Sequence, residues 1–264
     1  MLGMLAVAGC GGNKVRGDGP PGSTRIPDLP GDAIPRPEAR SKYGNGPVYE
    51  VLGKRYTVMP SSSGYQERGV ASWYGKKFHG NLTSNREVYD MYAMTAAHKT
   101  LPLPTYVRVR NLSNNKSIVV RVNDRGPFVH NRIIDLSYAA AIKLDMIRDG
   151  TSLVEVTAIN FDQPQGDRPV RASSPPSAGP ALPAATANRI YVQVGAFGER
   201  ANAQRRLGDL ARAGIGDAFI HEELTADRIL YRVRIGPIAD VVQYDVIVDE
   251  LEAMGINDPY LVSE

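Results

Sequence analysis

The sequence predicts a mainly β domain of short strands, read as a small barrel, followed by an α+β domain, with extended linkers before and between them. Three observations carry this. Short alternating apolar runs with a single helical stretch fill residues 69–161. A β-α-β-β-α-β succession fills 188–264, a topology shared with RNA-recognition modules. Pro, Gly, Ser and Ala cluster outside both regions, in 10–46 and 162–187.

Taken in order, residues 1–9 are apolar or small and run into Leu5-Ala6-Val7-Ala8-Gly9-Cys10. This resembles a bacterial lipobox, which makes 1–9 the end of a signal peptide and Cys10 a diacylated first residue. Gly11, not Asp, follows the Cys, which by the same resemblance favours the outer membrane over retention at the inner one. Cys10 is the single cysteine, so no intramolecular disulfide and no Cys-based zinc site can form. From 10 to 46, six prolines between Pro20 and Pro37 predict an extended tether. Residues 47–68, with Val48, Tyr49, Val51, Leu52, Tyr56 and Val58, predict an extended arm docked on the barrel.

The barrel domain opens at Gly69 with a strand through Val70 to Tyr74 that carries the single Trp, Trp73. A polar loop from Lys76 to Asp90 follows, and a loop of that length inside a compact domain is usually functional. Met91 to Ala97 is short and apolar, and Pro102 and Pro104 rule out a helix after it. Tyr106–Arg110 and Ser117–Asp124 alternate as a hairpin around Asn114-Asn115. Asp135-Leu136-Ser137 reads as the capped start of a helix with Leu136, Ala139, Ala140 and Leu144 on one face. Leu153–Ile159 closes the domain. In the second domain, strands are expected at Ile190–Val194, Ala218–Glu222, Ile229–Ile235 and near Pro259–Val262. Helices are expected near Ala201–Ala213, ended by Gly214, and Asp240–Ala253, ended by Gly255.

Asp124 is the first candidate for chemistry. Ile118, Val120, Val122 and Asp124 share one side of their strand, so the carboxyl ends an apolar row. Partial desolvation there suits a group that holds and donates a proton. The alternative is a carboxylate that pairs with Arg121 or Arg125 and caps the hairpin.

Charge separates the domains. With 31 Lys and Arg against 28 Asp and Glu, the net charge of +3 implies no polyanion partner by itself. Residues 188–264 hold 8 Arg, no Lys and 13 acidic residues, so the acidic second domain, which also lacks a basic-aromatic signature strand, is not expected to bind nucleic acid. No metal-ligand cluster or nucleotide loop stands out, and no cofactor is expected.

Gly69-Val70-Ala71-Ser72-Trp73-Tyr74-Gly75, the run from Tyr89 to Pro102, Arg121-Val122-Asn123-Asp124-Arg125-Gly126-Pro127-Phe128 and Ile133-Ile134-Asp135-Leu136-Ser137 closely resemble the rare lipoprotein A family. Tyr191 to Phe197 and Arg234-Ile235-Gly236-Pro237 resemble a SPOR (sporulation-related repeat) domain. The resemblance implies a six-stranded double-psi β-barrel that cleaves peptidoglycan as an endolytic transglycosylase. It forms 1,6-anhydro ends without water, on glycan stripped of peptides and bound by the SPOR domain at the division septum. Septal ring proteins and the outer membrane are the implied partners besides the glycan. The family's catalytic pair falls on Glu87 and Asp124, with His98 nearby. Asp124 is then the acid and base, Glu87 the charge stabiliser, and His98 either orients a carboxylate or is satisfied by backbone. Trp73, Tyr74 and Arg125 are assigned to glycan, as are Tyr191, Gln193, Phe197, Arg232 and Arg234 on the outward sheet face of the SPOR domain. Asn85-Arg86-Glu87-Val88-Tyr89 departs from the family's Ser-Gly-Glu-Pro-Tyr, with Arg86 a potential partner of Glu87. That departure sustains the rival expectation of a non-catalytic, expansin-like glycan-binding lipoprotein.

Overall fold

A computed structural model describes residues 18–21, 28–161, 189–225, 227–257 and 259–264. Cys10 and the linker at 162–187 lie outside them. The strands of the first region are β1 (Val48–Val51), β2 (Lys54–Thr57), β3 (Gln66–Tyr74), β4 (Thr95–His98), β5 (Thr105–Asn111), β6 (Ser117–Asp124), β7 (Arg132–Ser137) and β8 (Ser152–Ala158), with helix α1 (Tyr138–Lys143) between the last two. The second region runs β9 (Ile190–Phe197), α2 (Arg200–Arg212), β10 (Ala218–Leu224), β11 (Ile229–Ile235), α3 (Val241–Ala253) and β12 (Tyr260–Ser263).

Six strands close a barrel in the order β3-β7-β4-β6-β5-β8. The pairs β3/β7 and β4/β6 are parallel and the rest antiparallel. The inward rows, such as Val107 and Val109 on β5, Val120 and Val122 on β6 and Val154 and Val156 on β8, are wholly buried. β-branched residues at every second position fill the interior because strand side chains alternate. The second region is a four-stranded sheet in the order β10-β11-β9-β12, with Val192, Val233 and Ile235 packed against Leu210 of α2 and Leu251 of α3.

Three local expectations are corrected. The segment opening at Asp135 is strand through Ser137, because Ile134 and Leu136 face the barrel core with a period of two. The helix starts one residue later, capped by Ser137, whose hydroxyl accepts from Ala140 N. The barrel's first strand also begins earlier than 69, at Gln66, and the arm before it is the hairpin β1–β2, turned by Leu52 and Gly53, both at positive φ.

The third correction concerns the tether. Residues 28–46 lie along the barrel as a strap: Ala33 N donates to Val119 O at 3.0 Å, Ser41 N to Leu103 O at 2.8 Å, and Asp32 pairs with Lys143. Pro30, Pro35 and Pro37 keep it extended, and side chains such as Asp32 and Asn45 supply the polar contacts. Farther upstream, the Asp18 carboxylate accepts from Gly75 N and Lys77 N.

Ser137 is wholly buried, caps α1 and donates to Ala93 O, so Ser137→Ala is expected to cost about 1–2 kcal/mol in urea unfolding, with an unchanged m-value.

Candidate active site

Strand order fixes the site. Ala97 of β4 is paired with Asp124 of β6 on one side and with Asp135 of β7 on the other, and Asp135 is paired in turn with Ser72 of β3. Ser72, Asp135, Ala97 and Asp124 therefore form one row across four neighbouring strands. The two aspartates are two inter-strand steps apart, roughly 10 Å between Cα atoms. Ala97 puts only a methyl group between them. Gly126, at φ +143, turns the chain over it, and a Cβ there would lie 3.7 Å from Ala97 Cβ and 3.9 Å from Asp135 Oδ2.

Asp124 is half-buried, and an irregularity in the β4/β6 register, with Ala96 opposite Val122 but Ala97 opposite Asp124, sets it on the Ala97 face and not on the core face of Val120 and Val122 that strict alternation predicts. Its Oδ1 accepts from Ser84 N at 2.8 Å, Ser84 Oγ at 2.6 Å and Arg125 N at 2.7 Å. Oδ2 has no hydrogen-bond partner among the described residues. Neither Arg121 nor Arg125 pairs with it through a guanidinium, so the hairpin-cap alternative does not describe it.

Asp135 is the carboxyl whose burial counts most. Desolvation pushes it above the usual aspartate range, against the opposing Ser72 hydroxyl and the Lys99 and Arg132 charges. The sequence gives no hint of this, because the residue reads there as part of a helix start. Its signal would have been strand periodicity at Ile134 and Leu136.

Glu87 is held in a tight loop. Thr83 N donates to Glu87 O at 2.8 Å, and the Asn85 side chain accepts from Glu87 N at 3.2 Å and from Thr83 Oγ1 at 2.6 Å. Arg86 takes φ +73, the conformation that glycine supplies without strain, at the position where the family pattern has Gly. Arg86 does not pair with Glu87; its guanidinium lies 5.4 Å from the Tyr43 ring centre. Arg121 and Asn123 of β6 each donate to Glu87 Oε2 at 2.8 Å. Burial alone would raise the Glu87 pKa, but those two donors outweigh it and hold the carboxyl below the ordinary glutamate value. Glu87 is thus an anion held against β6, on the same loop as the Ser84 that binds Asp124.

His98 touches neither Asp124 nor Glu87 through its ring. Nδ1 accepts from Thr100 N at 3.2 Å and Leu101 N at 3.0 Å, and Nε2 meets the Tyr65 hydroxyl at 2.8 Å. Two backbone donors on Nδ1 require a neutral ring, and burial, with Arg125 and Lys99 adding repulsion, lowers its pKa to about 3. The expectation that it orients a carboxylate is replaced by its alternative, a histidine satisfied by backbone.

Arg125 is also committed to structure. Its guanidinium donates to Gly44 O, Asn45 Oδ1, His98 O and Leu101 O, which tie the strap and the 98–101 turn together and leave it unsuited to grip a glycan. Tyr74 is 7% exposed and stacked on Tyr89 at 4.1 Å, so it is core instead of a sugar platform. Burial, then Tyr89, Asp124 and Asp135, push its phenol up, which places Tyr74 beneath both aspartates. Trp73 is half-buried against Tyr138, with ring centres 5.5 Å apart.

On the second domain, Tyr191, Gln193 and Arg234 lie on the predicted sheet face but are buried by one another and their neighbours. Tyr191 meets Phe219 edge-on at 5.4 Å, Arg234 Nε donates to Gln193 Oε1 at 3.2 Å, Gln193 bonds the Tyr260 hydroxyl, and Arg234 pairs with Glu264. Arg232 pairs with Glu223, and Phe197 is half-buried at the strand end against Gly195. The face is a cross-linked polar layer, not a row of free groups.

Two family profiles match this chain: one described as "Lytic transglycolase" over residues 66–156, which coincides with the barrel, and one described as "SPOR domain" over 186–263. A Pseudomonas aeruginosa protein named "Endolytic peptidoglycan transglycosylase RlpA" is 39% identical over 282 residues, which span 90% of this chain and 81% of that protein. The chain belongs to the RlpA family. The RlpA of Vibrio cholerae is 50% identical over 175 residues, 64% of this chain and 65% of its own length. A solved SPOR domain of Pseudomonas aeruginosa RlpA is 30% identical, covers 28% of this chain and 96% of that chain, and has a TM-score of 0.26. As an RlpA the chain carries the expected double-psi barrel and SPOR domain.

Because His98 is neutral when folded but titrates near 6.5 when unfolded, the unfolded chain binds the extra proton as pH falls. Its contribution is present above pH 6.5 and is lost as pH drops toward 3. Urea unfolding across this range should show that loss in the wild type and a smaller one in His98→Gln.

Proposed function

We propose that this RlpA is an endolytic lytic transglycosylase that cleaves the β-1,4 bond after N-acetylmuramic acid in peptidoglycan, with Asp135 and Asp124 as the acid and base and Glu87 as the charge stabiliser. The observation that carries the site assignment is the register that sets the two aspartates either side of Ala97, with the ionised Glu87 on the same loop as Ser84, which binds Asp124. The names of the relatives support the activity.

The steps follow from the environments. Asp135, disposed by burial to keep a proton, gives it to the leaving glycosidic oxygen as the C1–O bond breaks. A glycan lying over the site removes more water and raises the carboxyl further. The Glu87 anion stabilises the developing oxocarbenium charge. The muramyl C6 hydroxyl oxygen then bonds to C1 and its proton passes to the unpaired Asp124 Oδ2. No water enters, and the product is the 1,6-anhydro end. Proton exchange between the aspartates and solvent resets the pair. Relative to the sequence expectation, Asp135 takes the acid's role and Asp124 keeps the base's.

The proposal extends to the setting. A lipid on Cys10 holds the enzyme at the outer membrane, and the SPOR domain takes it to peptide-free glycan at the septum, where it meets septal ring proteins. The lipobox-like start and the SPOR match support this. The rival, a non-catalytic expansin-like protein, rested on the altered Glu87 turn, in which Arg86 takes a glycine-like φ and Glu87 is held as an anion by Arg121 and Asn123.

Asp135→Asn and Asp124→Asn should each lower glycan cleavage by roughly 10²–10⁴-fold while the circular dichroism spectrum is unchanged. Wild-type rates in folded Asp135→Asn would remove it from the chemistry. The pH profile should be a bell: activity falls on the acid side as Glu87 protonates below its ordinary value and on the basic side as Asp135 ionises above its own. Glu87→Gln, which removes the stabilising charge, should lower the rate at every pH and take away the part of the acid limb that Glu87 sets.

A further inference from the structure

We propose that Glu38, on the N-terminal strap, is a positioning residue for Glu87 that acts through Arg121, so that the strap is a working part of the catalytic centre. The inference rests on the reading of Glu87 as the charged member of the site. Nothing in the sequence patterning singles out Glu38, which stands 49 positions before Glu87 in a stretch that reads as tether.

One guanidinium serves two carboxylates. Arg121 donates from Nε to Glu38 Oε1 at 3.0 Å and from its second terminal nitrogen to Glu38 Oε2 at 2.8 Å. Its first terminal nitrogen donates to Glu87 Oε2 at 2.8 Å. The two-point grip fixes the plane of the fork, and the plane dictates where the remaining nitrogen points. Glu38 is itself immobilised by the Tyr106 hydroxyl on Oε1 and by Arg36 Nε at 3.3 Å. Arg121, led by its hydrogen bond, holds Glu38 down to about 2, so the grip is charged throughout the working pH range. Side-chain exposures of 20% for Glu38 and 18% for Arg121 set this pair deeper than Glu87, at 41%.

The strap meets the site at further points. Tyr43 lies against the Arg86 guanidinium, next to Glu87 in the chain, at the position where the family's glycine is missing. Gly44, at φ +74, packs so closely that an added Cβ would lie 3.0 Å from Ser84 O, and Ser84 is the residue that holds Asp124. Gly44 O accepts from Arg125 Nε at 2.8 Å. The charged and polar groups facing Glu87 are thus Arg121 and Asn123 from β6, Asn85 and Arg86 from its own loop and, behind Arg121, Glu38 and Arg36 from the strap and Tyr106 from β5.

Removing the Glu38 charge frees the Arg121 fork to turn away, and Glu87 loses a fixed donor. The experiment uses the chain with both domains in Glu38→Gln, which keeps the shape, and Glu38→Asp, which keeps the charge. Glycan cleavage is followed as kcat and KM against pH, and the Glu87 side-chain carboxyl carbon is titrated by NMR. Glu38→Gln should lower kcat roughly ten- to a hundredfold at unchanged KM. The Glu87 midpoint and the acid limb of kcat should move together to higher pH, with Glu38→Asp falling between. Tyr106→Phe, which releases one Glu38 oxygen without touching Arg121, should move both in the same direction by less, and it decides the matter if Glu38→Gln unfolds. A Glu87 midpoint that stays put, or a kcat that does not fall when the midpoint moves, overturns the proposal. If the wild type releases no glycan product, the reading of the activity fails, while the NMR titration still decides whether Glu38 governs Glu87.

Discussion

The pairing of one short strand, β4, with a parallel neighbour and an antiparallel neighbour is the constraint on which the site depends. Because Ala97 is opposite both Asp124 and Asp135, two carboxyls that are 11 positions apart in the chain are set in one row. Neither is placed by a flexible loop. Only a methyl group at Ala97 stands between them, and Gly126, at φ +143, passes close above it in a conformation that favours glycine. The buried aliphatic rows beneath hold the register, because a slip of one residue would turn every one of those side chains outward.

The acid chemistry is then divided by environment. Asp135 loses water, which favours its proton against the opposing Ser72 hydroxyl; Glu87 gains two donors, which favours its charge. Asp124 is anchored through one oxygen and keeps the other unpaired. The surrounding cations are mostly occupied: Arg125 stitches backbone carbonyls, and Arg121 is shared between Glu38 and Glu87. Positive charge therefore supports the site from behind and leaves the glycan to meet carboxyls.

Much of this was legible in the sequence, and the parts that were not have physical reasons. The alternation of Ile118, Val120 and Val122 placed Asp124 at the strand end but on the core face, because the register irregularity before it leaves no mark in the periodicity; the βαββαβ succession was readable from capping glycines and periodicity. Asp135 was hidden because Leu136 and Ala139 also fit a helical period, and the strand ends where the helix begins. His98 and Arg125 look like polar site residues in a string of letters, yet their bonds go to backbone atoms and to the structural side chains Tyr65 and Asn45. The strap reads as tether because its contacts are made by isolated side chains, Asp32, Glu38 and Asn45, with no apolar periodicity. Tyr191, Gln193 and Arg234 were placed on the right face, but cross-strand partners such as Phe219, Tyr260 and Glu264 lie too far away in sequence to be anticipated.

The central claim is that the C6 hydroxyl, and not water, attacks the anomeric carbon. Digestion of peptide-free glycan strands in water enriched in ¹⁸O, followed by mass spectrometry of the new muramyl ends, tests it directly. The account predicts 1,6-anhydro ends that carry no ¹⁸O. Reducing ends carrying one ¹⁸O in product quenched before solvent exchange would show hydrolysis and contradict it.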